Sequence, residues 1–352
     1  MGEKHVKYDI SCAAKRSADF IRDPKKKGAL VFAYFPLHAE LPPVEPLSAF
    51  DFPREIKRFC DQNVENLVRY HELRSLVDDD WLPVIQPYIG VAAHSCFMGG
   101  DVVYEGDTSY NRPCLDDITK WESLRYGLYP HYQMLLDAMQ YLQEKVSPYG
   151  FFTSLRGTDG PMDIANAVRG NDLFYDLYEE PEAVKEFLDY CAEAAAWNIE
   201  NQRQFASVVE GGYIAGMGHW MPGNSIGHIS EDASCLCSPK MYEEFGIPAT
   251  AKLLAGYDYA VMHVHTLGRK CIPAMSRLPQ IKTYQLSDDP KQPAPIEVYR
   301  EYADELSGKV VMLSLTAEEV RKHYDFLKER RSIISLSAKD PCEAEDIIAM
   351  LR

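Results

Sequence analysis

One stretch of the sequence reads Asp258-Tyr-Ala-Val-Met-His263-Val-His265-Thr-Leu-Gly-Arg-Lys-Cys271. It begins as an apolar, β-prone run and breaks at a threonine and a glycine, so it predicts a buried strand. Side chains alternate across a strand, so His263 and His265 point to the same side. Two neutral imidazoles in one space suit a divalent transition metal such as zinc. An ordinary polar strand end is the alternative interpretation, and the rest of the chain has to distinguish the two.

Eight such β-prone runs alternate with amphipathic stretches of helical spacing along the chain. The predicted strands are 30–35, 82–88, 149–155, 212–216, 259–265, 281–286, 309–315 and 332–337. Several helical stretches begin with capping signals, such as Ser238 before Pro239 and Thr316 three residues before Glu319. Strands that alternate with helices predict an α/β fold, here a (β/α)8 TIM barrel.

The barrel is predicted to cover residues 1–352 as a single domain, with 1–28 as an N-terminal helical extension. The segment after the second strand, residues 90–113, is long and rich in Gly, Asp and Tyr. Such a segment is typical of a loop that builds or covers an active site. A doubly wound open sheet is the structural alternative. No Gly-x-Gly-x-x-Gly follows the first strand, so a dinucleotide site has no support.

Composition excludes several classes of protein. The chain has 352 residues, with 53 acidic against 37 basic side chains and a formal net charge of −16. This balance argues against binding to nucleic acid or to an anionic membrane, because both need clustered lysine and arginine. The nine cysteines have no regular spacing, which fits a reduced protein. With neither a secretory signal nor an apolar run of membrane-spanning length, the sequence predicts a cytoplasmic protein.

In a (β/α)8 barrel, the chemistry takes place at the carboxyl ends of the strands. The polar residues predicted there are His38, Gln86, Tyr88, Arg156, Asp159, His219, Trp220, Gln285 and Asp288. Catalytic roles are predicted for Arg156, Asp159 and His219, with Arg156 as the favoured anchor for an anionic group. The other six are assigned to the substrate pocket, where Gln285 or Asp288 would also orient a histidine of the metal site. The alternative is that Arg156 and Asp159 only pair with each other, and that His219 and Trp220 only pack a loop.

A third metal ligand is predicted beyond the last strand. Cys342 follows that strand, in the loop that enters the last helix. In a closed barrel this loop faces the same mouth as the loop after the fifth strand, where His263 and His265 lie. Cys271 is the alternative, provided that its loop folds back. Three protein ligands with one open position are typical of catalytic zinc.

Two longer motifs resemble the uroporphyrinogen decarboxylase superfamily. The first runs from Gly160-Pro161 through Arg169-Gly170 to Pro181, and the second from Glu231-Asp232 through Ser238-Pro239 to Pro248. The resemblance covers about residues 150–350 and implies a (β/α)8 barrel. The decarboxylases of this superfamily carry an N-terminal arginine-rich motif that holds a polycarboxylate. The comparable residues here, 31–40, contain no arginine, which argues against that activity.

The other branch of that superfamily comprises corrinoid-dependent methyltransferases, which bind zinc through His-x-Cys and a distant cysteine. His263 and Cys342 match the first and last ligands of that pattern, whereas His265 stands where the family has cysteine. The resemblance therefore implies a zinc-dependent methyltransferase that uses a corrinoid (cobalamin) as methyl carrier. It also implies a small-molecule substrate, allows a corrinoid protein as partner, and allows a homodimer.

Three alternatives remain open at this point. The first is a cofactor-independent decarboxylase in which Asp159 or His219 is the acid–base group. The second is a protein that binds a tetrapyrrole or corrinoid without performing chemistry. The third is a metal-dependent hydrolase, a class that also uses His-x-His in a barrel but on the first strand, where this chain has only His38.

Overall fold

The computed structural model describes residues 8–37 and 40–352. Its centre is a parallel sheet of seven strands, flanked by smaller sheets. In chain order the strands are β1 Gly28–Tyr34, β2 Val84–Ile85, β3 Val102–Glu105, β4 Thr108–Asn111, β5 Phe152–Thr153, β6 Gly157–Asp159, β7 Val208–Val209, β8 Gly212–Ile214, β9 Trp220–Pro222, β10 Ser225–Ser230, β11 Tyr259–His265, β12 Ile281–Ser287, β13 Val310–Thr316 and β14 Arg331–Ser337. The central sheet has the order β1-β14-β13-β12-β11-β10-β6.

Helices connect most of these strands. They are α1 Ile10–Arg22, α2 Ile56–Arg74, α3 Pro130–Val146, α4 Pro161–Arg169, α5 Leu173–Glu179, α6 Pro181–Arg203, α7 Pro239–Met241, α8 Ile247–Leu254, α9 Ile272–Met275, α10 Pro295–Glu301, α11 Ala317–Leu327 and α12 Pro341–Leu351. The predicted capping box is confirmed at α11, where the Thr316 hydroxyl accepts from the Glu319 N–H and the Glu319 carboxylate accepts from the Thr316 N–H. No helix in the described part of the chain is long and apolar enough to cross a bilayer.

The strand register brings polar residues of four neighbouring strands into one row. Ser230 of β10 lies opposite Asp159 of β6 on one side and His263 of β11 on the other. His263 in turn lies opposite Gln285 of β12. Because strands lie about 4.8 Å apart, this row places groups that are far apart in sequence at one edge of the sheet.

The α/β prediction is confirmed, and five of the predicted strands coincide with β1, β11, β12, β13 and β14. The prediction missed β10, whose sequence Ser-Ile-Gly-His-Ile-Ser has only two apolar residues and a bulge between Ser225 and Gly227. The predicted strand at 212–216 overlaps β8, which belongs to the antiparallel sheet β7-β8-β9, and Ala215 next to it forms an isolated parallel bridge to Leu155. The long segment after the second predicted strand contains the β3–β4 hairpin.

The outer edge of β1 is covered by side chains. The carboxylates of Asp80 and Asp79 accept from the backbone N–H groups of Val31 and Ala33 at 2.9 and 2.8 Å. The Asp80 N–H also donates to the Val31 carbonyl. These contacts satisfy backbone groups that a neighbouring strand would otherwise pair. The closed barrel itself stays a prediction, because β2 pairs with β5 in a separate two-stranded sheet.

Candidate metal centre

The two histidines of the quoted stretch lie at the end of β11, as the strand pattern predicts. The residues before and between them, Val261, Met262 and Val264, are buried in the core. The imidazole rings of His263 and His265 are 4.8 Å apart, centroid to centroid, and both are partly exposed. The strand thus anchors the pair in the core and presents both rings at the edge of the sheet.

Each histidine has one ring nitrogen fixed by an acceptor. The His263 Nδ1–H donates to Gln285 Oε1 at 2.7 Å, and the His265 Nδ1–H donates to Asp289 Oδ1 at 2.8 Å. A carbonyl oxygen and a carboxylate oxygen only accept, so the proton of each neutral ring is on Nδ1. Nε2 is then a free lone pair in both rings. This is the arrangement in which metal-binding histidines are commonly held.

The free nitrogens converge on Asp232. Asp232 Oδ1 lies 3.6 Å from His263 Nε2 and 3.8 Å from His265 Nε2. These distances are too long for hydrogen bonds. One ligand atom from each of the three residues lies within 4.8 Å of the other two. A tetrahedral ion about 2.1 Å from each ligand would separate the ligand atoms by about 3.4 Å, so the three residues fit a bound metal ion.

Asp232 is held in place by a second carboxylate. It begins the short 3-10 turn Asp232–Leu236 that follows β10. Asp163, in the first turn of α4, accepts from the backbone N–H groups of Asp232 and Ala233 at 2.8 and 2.6 Å. Burial and the charge of Asp232 raise the pKa of Asp163 to about 7. Asp163 therefore positions the turn that carries the carboxylate of the site.

Further acidic groups surround the centre. Burial, together with Asp163 and Asp232, raises the pKa of Asp159 well above its usual range. Burial and Asp163 do the same for Glu231, which accepts from the Thr250 hydroxyl at 2.6 Å. Burial lowers the pKa of His263, which favours the neutral ring that a metal requires. Crowded carboxyl groups beside neutral imidazoles favour the entry of a cation.

The centre opens into a cavity of about 740 Å³. Several of the residues predicted from strand ends lie on its wall. These are Tyr88, Asp159, His263, His265 and Gln285. Asp288 lines an adjoining cavity of about 440 Å³ that shares Gln285 with the first. The wall also contains His94, His228 and Asp289, which the sequence interpretation did not select.

Other predicted residues lie elsewhere. Gln86 accepts from the Ser154 hydroxyl at 3.1 Å and is not on the cavity wall. Trp220 is buried, and its indole N–H donates to the Val209 carbonyl. His219 and Arg156 are buried and are not among the residues that line the cavity. His38 lies outside the described residues.

The structure does not bring the predicted third ligand close to the two histidines. Cys342 is exposed on the first turn of α12, and β14 before it stands three strands from β11. Among the described residues, the ligand atoms that lie close together belong to Asp232, His263 and His265, and the Cys342 thiol is not one of them. Cys271 is buried and its thiol lies 3.8 Å from the Ser234 carbonyl, so it does not join the pair either. The third residue close to the two imidazoles is Asp232 instead.

Comparison with other proteins adds no family assignment. No protein-family model matches the chain, and no curated protein matches it in sequence. The function therefore has to be argued from the residues of the site.

Proposed function

We propose that the protein is an enzyme that binds a divalent metal ion through Asp232, His263 and His265. The observation that carries this proposal is the convergence of two free Nε2 atoms on one carboxylate oxygen, at 3.6 and 3.8 Å. A metal ion held there supplies a Lewis acid that polarises an oxygen or sulfur of the substrate. Gln285 and Asp289 keep both rings oriented, and Asp159 on the cavity wall is placed to exchange a proton with the substrate.

Zinc is the metal we propose. Two imidazoles and one carboxylate are a ligand set of catalytic zinc sites, with the remaining position open to substrate. The expected cysteine would also have contributed one negative charge, so Asp232 leaves the formal charge of the site unchanged. It does replace a soft sulfur with a hard oxygen. Iron(II) accepts the same set of two histidines and a carboxylate, so metal analysis has to identify the ion.

For the reaction, we propose methyl transfer between a small substrate and a corrinoid carrier. The support is the resemblance of residues 150–350 to the methyltransferase branch, together with an open cavity beside the centre. A cavity of about 740 Å³ is large enough for a drug-sized ligand. A corrinoid protein is the partner that this reaction calls for.

For the fold, we propose that the strands close into a (β/α)8 barrel. Three observations support closure: β2 pairs in parallel with β5, β5 is followed closely by β6, and the Asp80 N–H donates to Val31 of β1. Nine cysteines without a disulfide among the described residues support a reducing, cytoplasmic location.

Metal-assisted hydrolysis is the second candidate. Asp232 in place of cysteine favours it, because two histidines and a carboxylate form the zinc site of several hydrolytic enzymes. The same ligand residues serve both candidates, so the assays must use different substrates. Demethylation of methylcobalamin in the presence of thiols supports methyl transfer, whereas ester or amide cleavage without cobalamin supports hydrolysis.

Elemental analysis of the full chain, purified without added metal, tests the centre. We expect about one zinc ion per chain in the wild type and in Cys342→Ala. We expect the metal to be lost in Asp232→Ala and in His263→Ala, provided that both variants keep the wild-type circular dichroism. A metal-free wild type that also fails to take up zinc, iron or manganese in dialysis would reject the proposal. Loss of metal in Cys342→Ala would restore the cysteine as a ligand.

A further inference from the structure

Arg156 is a buried cation that has no hydrogen-bond partner along one edge of its guanidinium. It lies between β5 and β6 and is 2% exposed. Its Nη1 is 3.5 Å from the Ala93 carbonyl oxygen, whereas Nε and Nη2 have no hydrogen-bond partner among the described residues. Nε–H and Nη2–H lie side by side on one edge of the planar guanidinium. Two parallel N–H groups in that geometry match the two oxygens of a carboxylate.

The charge of Arg156 also lacks a partner. Within residues 8–37 and 40–352, no carboxylate oxygen is found within 4.0 Å of the guanidinium. Asp159 is close enough to act on the charge of Arg156, but it forms no ion pair with it within 4.0 Å. A guanidinium cannot shed its proton to escape burial. A buried, unpaired charge is costly, so its retention indicates that a ligand supplies the anion.

Two histidines connect this cation to the metal centre. His94 and His228 lie on the cavity wall with their rings 6.4 Å apart, and the ring of His228 is 5.4 Å from that of His263. His94 Nδ1 and His228 Nε2 have no partner among the described residues. An imidazole carries at least one N–H group, so each ring can donate a hydrogen bond to an anion.

We propose that Arg156, His94 and His228 form a subsite for the carboxylate of a small organic substrate. The planar carboxylate occupies the Nε–Nη2 edge of Arg156, with the two imidazoles beside it. A ring separation of 5.4 Å between His228 and His263 places the reacting oxygen or sulfur a short chain or one ring away from that carboxylate. The identity of the substrate rests on the proposed metal-dependent function, whereas the binding of the carboxylate does not.

The experiment compares carboxylates with their neutral amides by titration calorimetry on the full chain. The probes are benzoate against benzamide and methoxyacetate against methoxyacetamide. The proteins are the zinc-loaded wild type, Arg156→Gln, Arg54→Gln and metal-free His263→Ala. Arg54 is an exposed arginine paired with Asp51, so its variant controls for the loss of one positive charge. Charged hydrogen bonds predict that the wild type and Arg54→Gln prefer the carboxylate about tenfold to a hundredfold, and that Arg156→Gln loses this preference.

The outcomes separate the subsite from the metal. A carboxylate preference that persists in His263→Ala supports the subsite even if the proposed metal function fails. Equal binding of benzoate and benzamide by the wild type, or no binding of either carboxylate, would overturn the subsite. An unchanged preference in Arg156→Gln would also overturn it. The wild-type comparison needs no variant, so it stands even if Arg156→Gln does not fold.

Discussion

Two buried arginines of this protein differ in what their surroundings provide. Arg74, at the end of α2, is 1% exposed, and Arg156, beside the candidate metal centre, is 2% exposed. Arg74 forms an ion pair with the fully buried Asp79, donates to the Ala33 carbonyl at 3.1 Å and lies 4.1 Å from the ring of Trp81. Arg156 has a single long contact to a carbonyl oxygen.

The difference lies in charge rather than in the count of hydrogen bonds. Arg74 also has two nitrogens without partners, Nε and Nη1, but its third nitrogen faces a carboxylate. Asp79 in turn accepts from the Ala33 N–H, so the pair covers the edge of β1. A buried charge that the chain itself neutralises therefore serves the fold. A buried charge that the chain does not neutralise is costly to the fold, and we propose that a ligand supplies the counter-charge of Arg156.

The largest effect is expected when Asp79, the internal partner of Arg74, loses its charge. Asp79→Asn keeps the shape of the side chain but leaves Arg74 buried without a counter-charge, and we expect a loss of about 3–5 kcal/mol in the free energy of unfolding. Urea denaturation followed by circular dichroism measures this loss. Asp78→Asn is the control, because Asp78 is an exposed partner of Arg16 and its loss should cost less than about 1 kcal/mol. Equal costs for the two variants would show that Arg74 does not depend on Asp79.

A substitution at the candidate metal centre should weaken zinc binding rather than lower the free energy of unfolding. Asp289→Ala removes the acceptor that orients His265, and we expect zinc to bind about 10–100-fold more weakly, or about 1.4–2.7 kcal/mol. Competition with a chelating zinc indicator measures the affinity. Asp288→Ala is the matched control, since this neighbouring carboxylate lines the adjoining cavity and has no hydrogen bond to either histidine. Equal affinity in both variants would remove Asp289 from the site.

His219 is also buried, but a histidine, unlike an arginine, can lose its proton. It is fully buried, and burial lowers its pKa to about 4 from an ordinary value near 6.5. The unfolded chain then binds more protons than the folded chain between these two values. The stabilising effect of the neutral ring is present above about pH 6.5 and is lost as the pH falls toward 4.

This linkage predicts a loss of about 2 kcal/mol in the free energy of unfolding between about pH 7 and pH 5 from His219 alone. His219→Phe should reduce the pH dependence by that amount, as measured by urea denaturation at the two pH values. An unchanged pH dependence would mean that His219 titrates at its ordinary pKa in the folded protein.

The second half of the fold could be predicted from sequence because its strands are long and apolar. The predicted strands 259–265 and 281–286 agree closely with Tyr259–His265 and Ile281–Ser287. In the first half β2 and β5 have only two residues each, too few for a periodic pattern to mark their ends. Strand β10 escaped prediction because Gly227, with φ of 87°, and an adjacent bulge interrupt its alternation.

Only the part of the site that depends on residues close together in sequence could be predicted. His263 and His265 share a side because a strand alternates, and this is a property of the sequence. Asp232 and Asp289 reach them from the ends of β10 and β12, and the register that aligns those strands with β11 is a tertiary property. Cys342 was selected because loops at one mouth of a barrel were assumed to meet. The structure instead brings the carboxylate of Asp232, and not the thiol of Cys342, close to the two imidazoles.

The smallest effect is expected at a helix-capping hydrogen bond on the surface of the protein. The Thr316 hydroxyl caps α11, so Thr316→Ala should cost about 1 kcal/mol in the free energy of unfolding. Thr316→Ser keeps the hydroxyl and should restore most of that loss. Because the cap is exposed and internally satisfied, neither variant should change zinc or carboxylate binding. A change in zinc affinity or in carboxylate affinity would mean that the end of β13 is coupled to the cavity. Groups that stabilise the fold and groups that bind a ligand would then not be separate at this edge of the sheet.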